Sequence, residues 1–244
     1  MTIARIYQAI ALSPNMQLQL DVKASHHLVH VLRTKIGDEI NLFNGEGGEY
    51  RGVILHINKK GVLVEVKQFI DRDTESPIEI ILAQGIARNE KMDFIMQKSV
   101  ELGVNKIIPL VTERSNVKLT HVREGKRLNH WQSIIVSACE QCGRNRLPIL
   151  EEPLLFKEWI NDEIKTDYRF MLSPYHSNEI NFKSLSSPRS LLLLIGPEGG
   201  FSENEINSTI EQKFLALNLG PRILRTETAS LAALAILQAQ FGDM

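Results

Sequence analysis

The first 70 residues alternate between apolar and polar positions, and clusters of Asn and Gly interrupt the alternation. The alternating segments are 41–43, 50–57 and 62–66, and the intervening clusters are 44–48 and 58–61. Such alternation is typical of half-buried strands, and the Asn/Gly clusters are typical of hairpin turns between them. The pattern therefore predicts a small β-barrel or sandwich, interrupted by one short helix over residues 25–33.

A polar segment that ends in proline, residues 71–77, marks a change of pattern and is interpreted as a linker. After it, short apolar runs alternate with segments of helical period. The first predicted elements are a strand over 78–84, a helix over 91–102 with apolar positions Phe94, Ile95 and Val100, and a strand over 106–110. The alternation continues to the C-terminus and predicts an α/β domain with a mostly parallel sheet covered on both faces.

The apolar run 191–195 ends abruptly in the sequence GPEGG at 196–200. A run this short, bounded by glycines, is typical of a strand buried on both faces. The glycines allow the backbone to adopt positive φ and to lie directly against a ligand. Ser202 and Glu205 then form an S-x-x-E capping box, which predicts a helix that begins at Glu203.

A second stretch, LNLGPRIL at 217–224, is followed by the polar sequence RTET at 225–228, which opens an alanine-rich helical run. Two such loops close together in the chain predict one small-molecule pocket built from both. No Gly-Lys-Ser/Thr follows GPEGG and G-x-G-x-x-G is absent, so the sequence argues against an ATPase or GTPase and against NAD.

Composition and charge fit a globular protein, with 43% hydrophobic and 23% charged residues. We see neither a membrane-spanning stretch nor a signal-peptide pattern, so a cytoplasmic protein is expected. Residues 83–146 contain 11 Lys and Arg against 6 Asp and Glu, whereas residues 147–219 contain 6 against 11. A localised phosphate-binding face is one interpretation, and a solvated surface of mixed charge is the other.

Two short clusters have metal-like spacing. Cys139 and Cys142 have no second pair and lie in a run that includes Trp131, typical of an amphipathic helix. A thiol pair, buried or on a helix face, is therefore expected instead of a zinc site. His26 and His30 have helical zinc spacing, but no Glu lies between them as in metalloproteases, so surface, RNA or packing contacts are expected.

Four blocks along the chain resemble one known family. They are HHLVHVLRTKIGDEINLFNGEG from residue 26, KMDFIMQKSVELGVNKIIPLVTERSNVK from residue 91, WQSIIVSACEQCGRNRLP from residue 131, and the C-terminal signatures LLLLIGPEGGFSENEI and LNLGPRILRTETASLAAL. In this order they closely resemble the bacterial 16S rRNA (uracil N3)-methyltransferases of the SPOUT superfamily. One departure is Cys142, where the family usually has Ser or another small residue; a thiol of similar size preserves the match.

The resemblance implies a PUA-like β-barrel over 1–72 and a SPOUT methyltransferase domain over 73–244, whose C-terminal chain forms a trefoil knot. It also implies S-adenosylmethionine as cofactor, a homodimer, and no metal. The residues that correspond to the family's cofactor loops are Leu172, Ser173, Ile195, Gly196, Pro197, Glu198, Gly199, Gly200, Leu217, Leu219, Gly220, Ile223, Leu224 and Arg225.

The chemistry implied by the resemblance needs help at the nucleophile, because uracil N3 is protonated at neutral pH. Arg225 is a candidate for stabilising the uracil anion, and Glu198 and Glu227 are candidates for the general base or for orienting the uracil. Structural roles are the alternative for both glutamates: Glu198 would accept hydrogen bonds from backbone amides, and Glu227 would open the last helix.

The expected partner is 16S rRNA or the small ribosomal subunit. Candidate RNA contacts are His27, Arg33, Lys35, Arg88, Lys91, Arg114 and Arg144. Each of these residues alone is also explained as an ordinary surface residue. Two alternative functions stay open: a SPOUT methyltransferase that acts on tRNA or on another rRNA nucleotide, and a non-catalytic RNA-binding assembly factor.

Overall fold

The computed structural model describes residues 3–115, 121–173, 182 and 185–244, without the side chains of 121–124. It divides into two compact units. The first unit comprises residues 1–75 together with 136–147, and the second comprises 76–135 and 148–244. The chain therefore leaves the first unit after Glu75 and returns to it with residues 136–147.

The first unit is built on a sheet that has five strands among the described residues, in the order β1-β3-β4-β5-β2. The strands are β1 (Ala4–Tyr7), β2 (Gln17–Gln19), β3 (Glu39–Phe43), β4 (Glu49–Asn58) and β5 (Gly61–Ile70). β3 pairs with β4, and β4 with β5, in antiparallel hairpins, which confirms the predicted ones. β1 runs parallel to β3. The alternation points Leu42, Val62 and Val64 into the core, where each is fully buried.

The short helix of the first unit lies where the sequence predicts it but begins earlier. Helix α1 (Val22–His26) continues directly into one π-helical turn (His27–Val31). Asp21 caps the start, because its carboxylate accepts a hydrogen bond of 2.8 Å from the Ala24 amide. Leu28 is completely buried and anchors this segment to the sheet core.

The second unit contains a parallel sheet flanked by helices. Its elements are β6 (Glu79–Gly85), α2 (Asn89–Glu101), β7 (Lys106–Val111), α3 (His121–Cys142, whose last turns belong to the first unit), β8 (Ile149–Leu150), β9 (Leu154–Leu155), α4 (Phe156–Trp159), β10 (Tyr168–Leu172), β11 (Ser190–Ile195), α5 (Glu203–Glu211), β12 (Leu215–Leu217) and α6 (Thr226–Phe241). The strand order is β12-β10-β11-β6-β7-β8, with β9 also paired to β7. Every strand pair of this sheet among the described residues is parallel, as predicted.

The centre of this sheet is apolar on both faces. The leucines of 191–194 in β11 are at most 1% exposed, as expected for a strand covered by helices on both sides. Helix α2 buries Met92, Ile95 and Val100, but Phe94 is 43% exposed. Phe94, one of the apolar positions from which this helix was predicted, therefore lies outside its buried face. Within the described residues, no helix is both long enough and apolar enough to cross a membrane.

The Cys139–Cys142 segment ends α3 within the first unit. Cys139 is fully buried, and burial raises the pKa of its thiol to about 12. The thiol is therefore protonated at neutral pH and unsuited to metal binding or nucleophilic attack. Among the described residues, no cluster of three or more His, Cys, Asp or Glu side chains is arranged to hold a metal ion.

Candidate active site

The ends of three neighbouring strands bring the predicted ligand segments together. β10 lies between β11 and β12, parallel to both, and the register pairs Leu172 with Leu217 and Met171 with Leu194. The backbone amide of Ser173 donates to the Leu217 carbonyl at 3.0 Å. The chain therefore leaves all three strands on the same side of the sheet, at their carboxyl ends. In open parallel sheets, the crevice at the carboxyl ends of the strands is where ligands bind.

The GPEGG loop after β11 packs closely against the end of β6. A Cβ atom on Gly85 would lie 2.5 Å from Pro197 Cδ and 2.6 Å from Pro197 N, so only glycine fits there. The loop itself closes with a hydrogen bond of 2.9 Å from the Gly200 amide to the Pro197 carbonyl, and Gly200 has φ of +67°. The β6 end thus fixes the path of the loop.

Space remains on the open side of the loops. A Cβ atom on Gly200 or on Gly220 would meet no atom of the described residues within 4 Å. Both glycines have positive φ, and the Gly220 backbone amide donates a hydrogen bond of 2.7 Å to Asn218 Oδ1. Exposed backbone groups next to open space suit a ligand that is recognised through its polar edges.

A buried polar network holds the last helix against these strand ends. Thr226 Oγ1 donates to the Gly196 carbonyl at 2.7 Å and accepts from the Gln84 side-chain amide at 3.1 Å. Ser230 Oγ donates to Gln84 Oε1 at 2.7 Å. The sequence pattern did not predict this network. The signal available was a glutamine at the end of the apolar run in β6, which needs buried hydrogen-bond partners.

Lys91 joins the two candidate carboxylates. Its ammonium lies 3.4 Å from Glu198 Oε1 and 3.7 Å from Glu227 Oε2. Glu198 Oε1 also accepts a hydrogen bond of 3.1 Å from the Arg88 amide. The Glu227 side chain is 16% exposed, and its Oε2 atom has no hydrogen-bond partner among the described residues. Lys91 therefore pairs with two carboxylates beside the loop, and its role as an RNA contact stays a prediction.

The Glu198 carboxyl has a pKa below its ordinary value. Partial burial alone would raise this pKa, but hydrogen bonds from the Glu198 and Arg88 backbone amides and the charge of Lys91 outweigh burial. Glu198 is thus ionised at neutral pH and only weakly basic. This environment favours the structural role, in which Glu198 fixes the loop, over the role of general base.

Two of the remaining predicted residues of the second unit, Arg88 and Arg114, lie beside this loop. Arg225 is the N-cap residue of α6 and is exposed. The Arg114 side chain donates to the Gly199 carbonyl at 3.2 Å, and Arg88 is exposed beside Glu198. Ile223 is 74% exposed, so the segment after β12 presents an apolar side chain to solvent.

The predicted RNA contacts of the first unit have different environments. Arg33 and Lys35 are exposed after the π-helical turn, and His27 is half-buried within it. The Arg144 side chain is only 5% exposed and donates through both Nε and Nη2 to the Glu75 carboxylate. An arginine buried in a bidentate pair is not accessible to phosphate, so we do not retain Arg144 as a candidate RNA contact.

Glu205 stabilises the start of α5 and the adjacent chain. Its buried carboxylate accepts from the Ser202 amide at 2.8 Å and the Glu113 amide at 2.9 Å, and Ser202 Oγ accepts from the Glu205 amide. The predicted capping box and helix start are confirmed. We expect Glu205→Ala to cost about 2–4 kcal/mol, because the buried Ser202 amide and the partly buried Glu113 amide lose their acceptor. Thermal unfolding checks this, with a fall of roughly 5–10 °C expected. The exposed neighbour Glu203→Ala is the control, and equal effects of the two variants would contradict the account.

Two family models match the chain. The model described as an RNA methyltransferase domain matches residues 74–238, and the model described as an RNA methyltransferase PUA domain matches residues 20–67. The chain belongs to the RNA methyltransferase family. This membership confirms the resemblance noted in the sequence, and it explains why the glycine loops and the parallel sheet occur together in this chain.

Relatives of this RNA methyltransferase match over nearly its whole length. The ribosomal RNA small subunit methyltransferase E of Buchnera aphidicola subsp. Schizaphis graminum is 39% identical over 99% of this chain and 98% of its own. That of Bacillus subtilis is 34% identical over 88% of this chain and 87% of its own. The Neisseria gonorrhoeae enzyme of the same name, solved with bound S-adenosylmethionine, is 36% identical, covers 100% of both chains and superposes with a TM-score of 0.91. The predicted fold class, a SPOUT-type α/β methyltransferase domain after a PUA-like domain, is confirmed.

Proposed function

We propose that this chain is an S-adenosylmethionine-dependent methyltransferase that methylates N3 of one uridine in 16S rRNA. The observation that supports this most directly is the convergence of three loops at one sheet edge, with two carboxylates and an ammonium beside them. The full-length similarity to small-subunit methyltransferases, including one solved with S-adenosylmethionine, supports the choice of cofactor and RNA.

The cofactor would lie against the chain at 172–173, 195–200 and 217–225. These segments fit such a molecule because their backbone groups emerge at strand ends and Gly200 and Gly220 leave room above them. When bound, S-adenosylmethionine supplies a methyl group on a sulfonium centre, which is already a strong electrophile. The protein therefore mainly aligns the reacting atoms and prepares the uracil.

We propose separate roles for the three charged residues. Arg225, exposed at the start of α6, stabilises the negative charge that develops on the uracil ring. Glu227 accepts the N3 proton or orients the base edge; its buried Oε2 atom has no hydrogen-bond partner among the described residues and lies 3.7 Å from the Lys91 ammonium. Glu198 fixes the loop through Arg88 and Lys91.

Lys91 then acts as a positioning residue between Glu198 and Glu227. We expect Lys91→Ala to lower kcat by about tenfold or more, because an orienting charge is lost. Loss of the ammonium also raises the pKa of the Glu198 carboxyl, so the loop loosens as the pH falls and activity declines at a higher pH than in the wild type. A pH profile of kcat/KM for both proteins checks this.

The control for Lys91 is Lys98→Ala on the same helix. Lys98 pairs with Glu101 at 2.7 Å, away from the loop, so its removal is expected to leave the profile unchanged. If Lys91→Ala raised only the KM for RNA and left kcat and the pH profile intact, Lys91 would be a phosphate contact instead.

We also propose the domain division, the knot and the dimer. Residues 1–72 would form the RNA-binding PUA-like domain, with His27, Arg33 and Lys35 as RNA contacts, and Arg88 and Arg114 would be RNA contacts of the methyltransferase domain. After the chain has formed the edge strand β12, Thr226 and Ser230 hydrogen-bond to the Gly196 carbonyl and to Gln84 of the central strands. These hydrogen bonds are consistent with a threaded C-terminus.

Helix α6 exposes the side chains of Ile236 and Ala239. These exposed apolar residues support a close-packed dimer, which sedimentation equilibrium tests.

Transfer of labelled methyl groups to separated RNA classes tests the substrate. Unmethylated small subunits, free 16S rRNA, large subunits and tRNA would each be incubated with the protein and labelled S-adenosylmethionine. Label in small-subunit RNA alone is the expected result. Label in tRNA or large subunits would support the alternative target, and cofactor binding without transfer to any RNA would support a non-catalytic role.

A further inference from the structure

A groove between α2 and α3 in the second unit lies outside the cofactor loops. Its volume is about 240 Å³, and it is lined by Ala87, Asn89, Met92, Asp93, Arg127, His130 and Trp131. Pockets for drug-sized ligands typically measure roughly 300 Å³ or more. This groove is therefore too small for the whole cofactor and is closer to the size of a single nucleobase.

Arg127 and Trp131 give the groove a stacking surface. The guanidinium carbon of Arg127 lies over the Trp131 ring, 5.8 Å from its centre, and Trp131 is only 2% exposed. The indole is thus fixed, and it holds a half-exposed arginine. A planar guanidinium held in this way can stack a second planar group, which a lysine ammonium cannot do.

The polar groups of the groove suit a base edge better than an isolated phosphate. Asp93 Oδ2 and His130 Nε2 are 2.8 Å apart, and both side chains are partly exposed. Asp93 offers an acceptor, Arg127 offers donors, and the Asn89 amide offers both. The Asp93 carboxylate would repel a lone anion, whereas a base presents donors and acceptors together.

The groove adjoins the candidate active site through α2. Ala87 and Asn89 flank Arg88, whose backbone amide binds Glu198 of the GPEGG loop. A ligand in the groove would therefore lie beside the residues that surround the reacting uridine. We propose that this groove binds the base of a nucleotide next to the target uridine, an assignment that rests on the proposed action on RNA.

Three variants on α3 test this assignment. We expect Arg127→Ala to weaken binding of unmethylated small subunits about tenfold, the effect of losing one stacked base, with the KM for S-adenosylmethionine unchanged. Arg127→Lys keeps the charge but not the plane, so it is expected to match Arg127→Ala. Lys126→Ala removes one exposed positive charge from the adjacent position and is expected to bind nearly as the wild type does.

Binding would be measured by filter retention without cofactor, beside methyl transfer and thermal unfolding of each variant. His130→Ala, also in the groove, provides a second variant should Arg127→Ala unfold at a lower temperature. Wild-type affinity in Arg127→Lys would show a phosphate contact and overturn the proposal, as would unchanged affinity in Arg127→Ala. A wild type that binds subunits but transfers no methyl group would contradict the proposed function alone, because the binding ratios would still decide the role of the groove. A wild type that binds no RNA would contradict both.

Discussion

Gly85→Ala is expected to weaken S-adenosylmethionine binding by roughly 10- to 100-fold, although residue 85 need not touch the cofactor. The added Cβ atom would lie 2.6 Å from Pro197 N and 2.9 Å from Gly196 C, so the GPEGG loop must move. Overpacking of this kind typically costs about 1–3 kcal/mol, and here the loop that yields is the one that holds the cofactor. Isothermal titration calorimetry measures the affinity directly.

The matched control is Gly125→Ala in α3. A Cβ atom there would meet no atom of the described residues within 4 Å. Alanine is favoured over glycine within a helix by about 1 kcal/mol, so this variant should bind the cofactor normally and unfold at a slightly higher temperature. Unchanged affinity in Gly85→Ala would show that the close packing of β6 on the loop does not shape the cofactor site.

Arg225→Ala is expected to lower kcat by about 100- to 1,000-fold, the usual cost of losing a group that stabilises transition-state charge. The KM for S-adenosylmethionine should change little, because the cofactor segments are proposed to act through their backbone groups, whereas the proposed role of the guanidinium is at the uracil. Single-turnover methylation of small subunits separates the chemical step from product release. Arg225→Lys should recover part of the rate, since it retains the charge without the planar group.

Arg222→Ala, compared at saturating S-adenosylmethionine, is the control for kcat, because Arg222 is an exposed arginine in the same cofactor loop and has no proposed contact with the uracil. A fall in kcat shared equally by both variants would point to general electrostatic attraction of RNA. An Arg225→Ala enzyme with normal kcat would remove Arg225 from the chemistry and leave the alignment of the substrates as the main source of rate.

Local signals in the sequence predicted the elements that build the site. The apolar run of β11, the capping box at Ser202 and the polar opening of α6 each depend on a few adjacent residues, and each lies where the sequence indicates. The hairpins of the first unit were predictable for the same reason, since a period of two residues and an Asn/Gly turn are both local.

Contacts between distant segments were not predictable in this way. Gln84 in β6 meets Thr226 and Ser230 in α6 across 142 and 146 positions of the chain, beside a sheet whose strand order differs from the order in the chain. Lys91 was expected on the surface, but the fold places two carboxylates beside it. Arg144 is of a residue type that often contacts phosphate, and only its tertiary partner Glu75 reveals a buried structural role. The family resemblance supplied the cofactor and the substrate, which periodicity alone does not specify.

The most direct test of the proposed activity is the chemical identity of the methylated nucleoside. Small ribosomal subunits that lack the native uridine methylation would be incubated with the wild-type protein and S-adenosylmethionine. The rRNA would then be digested and analysed by mass spectrometry, with Arg225→Ala in parallel. We expect 3-methyluridine at a single site of 16S rRNA, with far less from the variant. A methyl group on another atom or another RNA, or none at all, would contradict the proposed function.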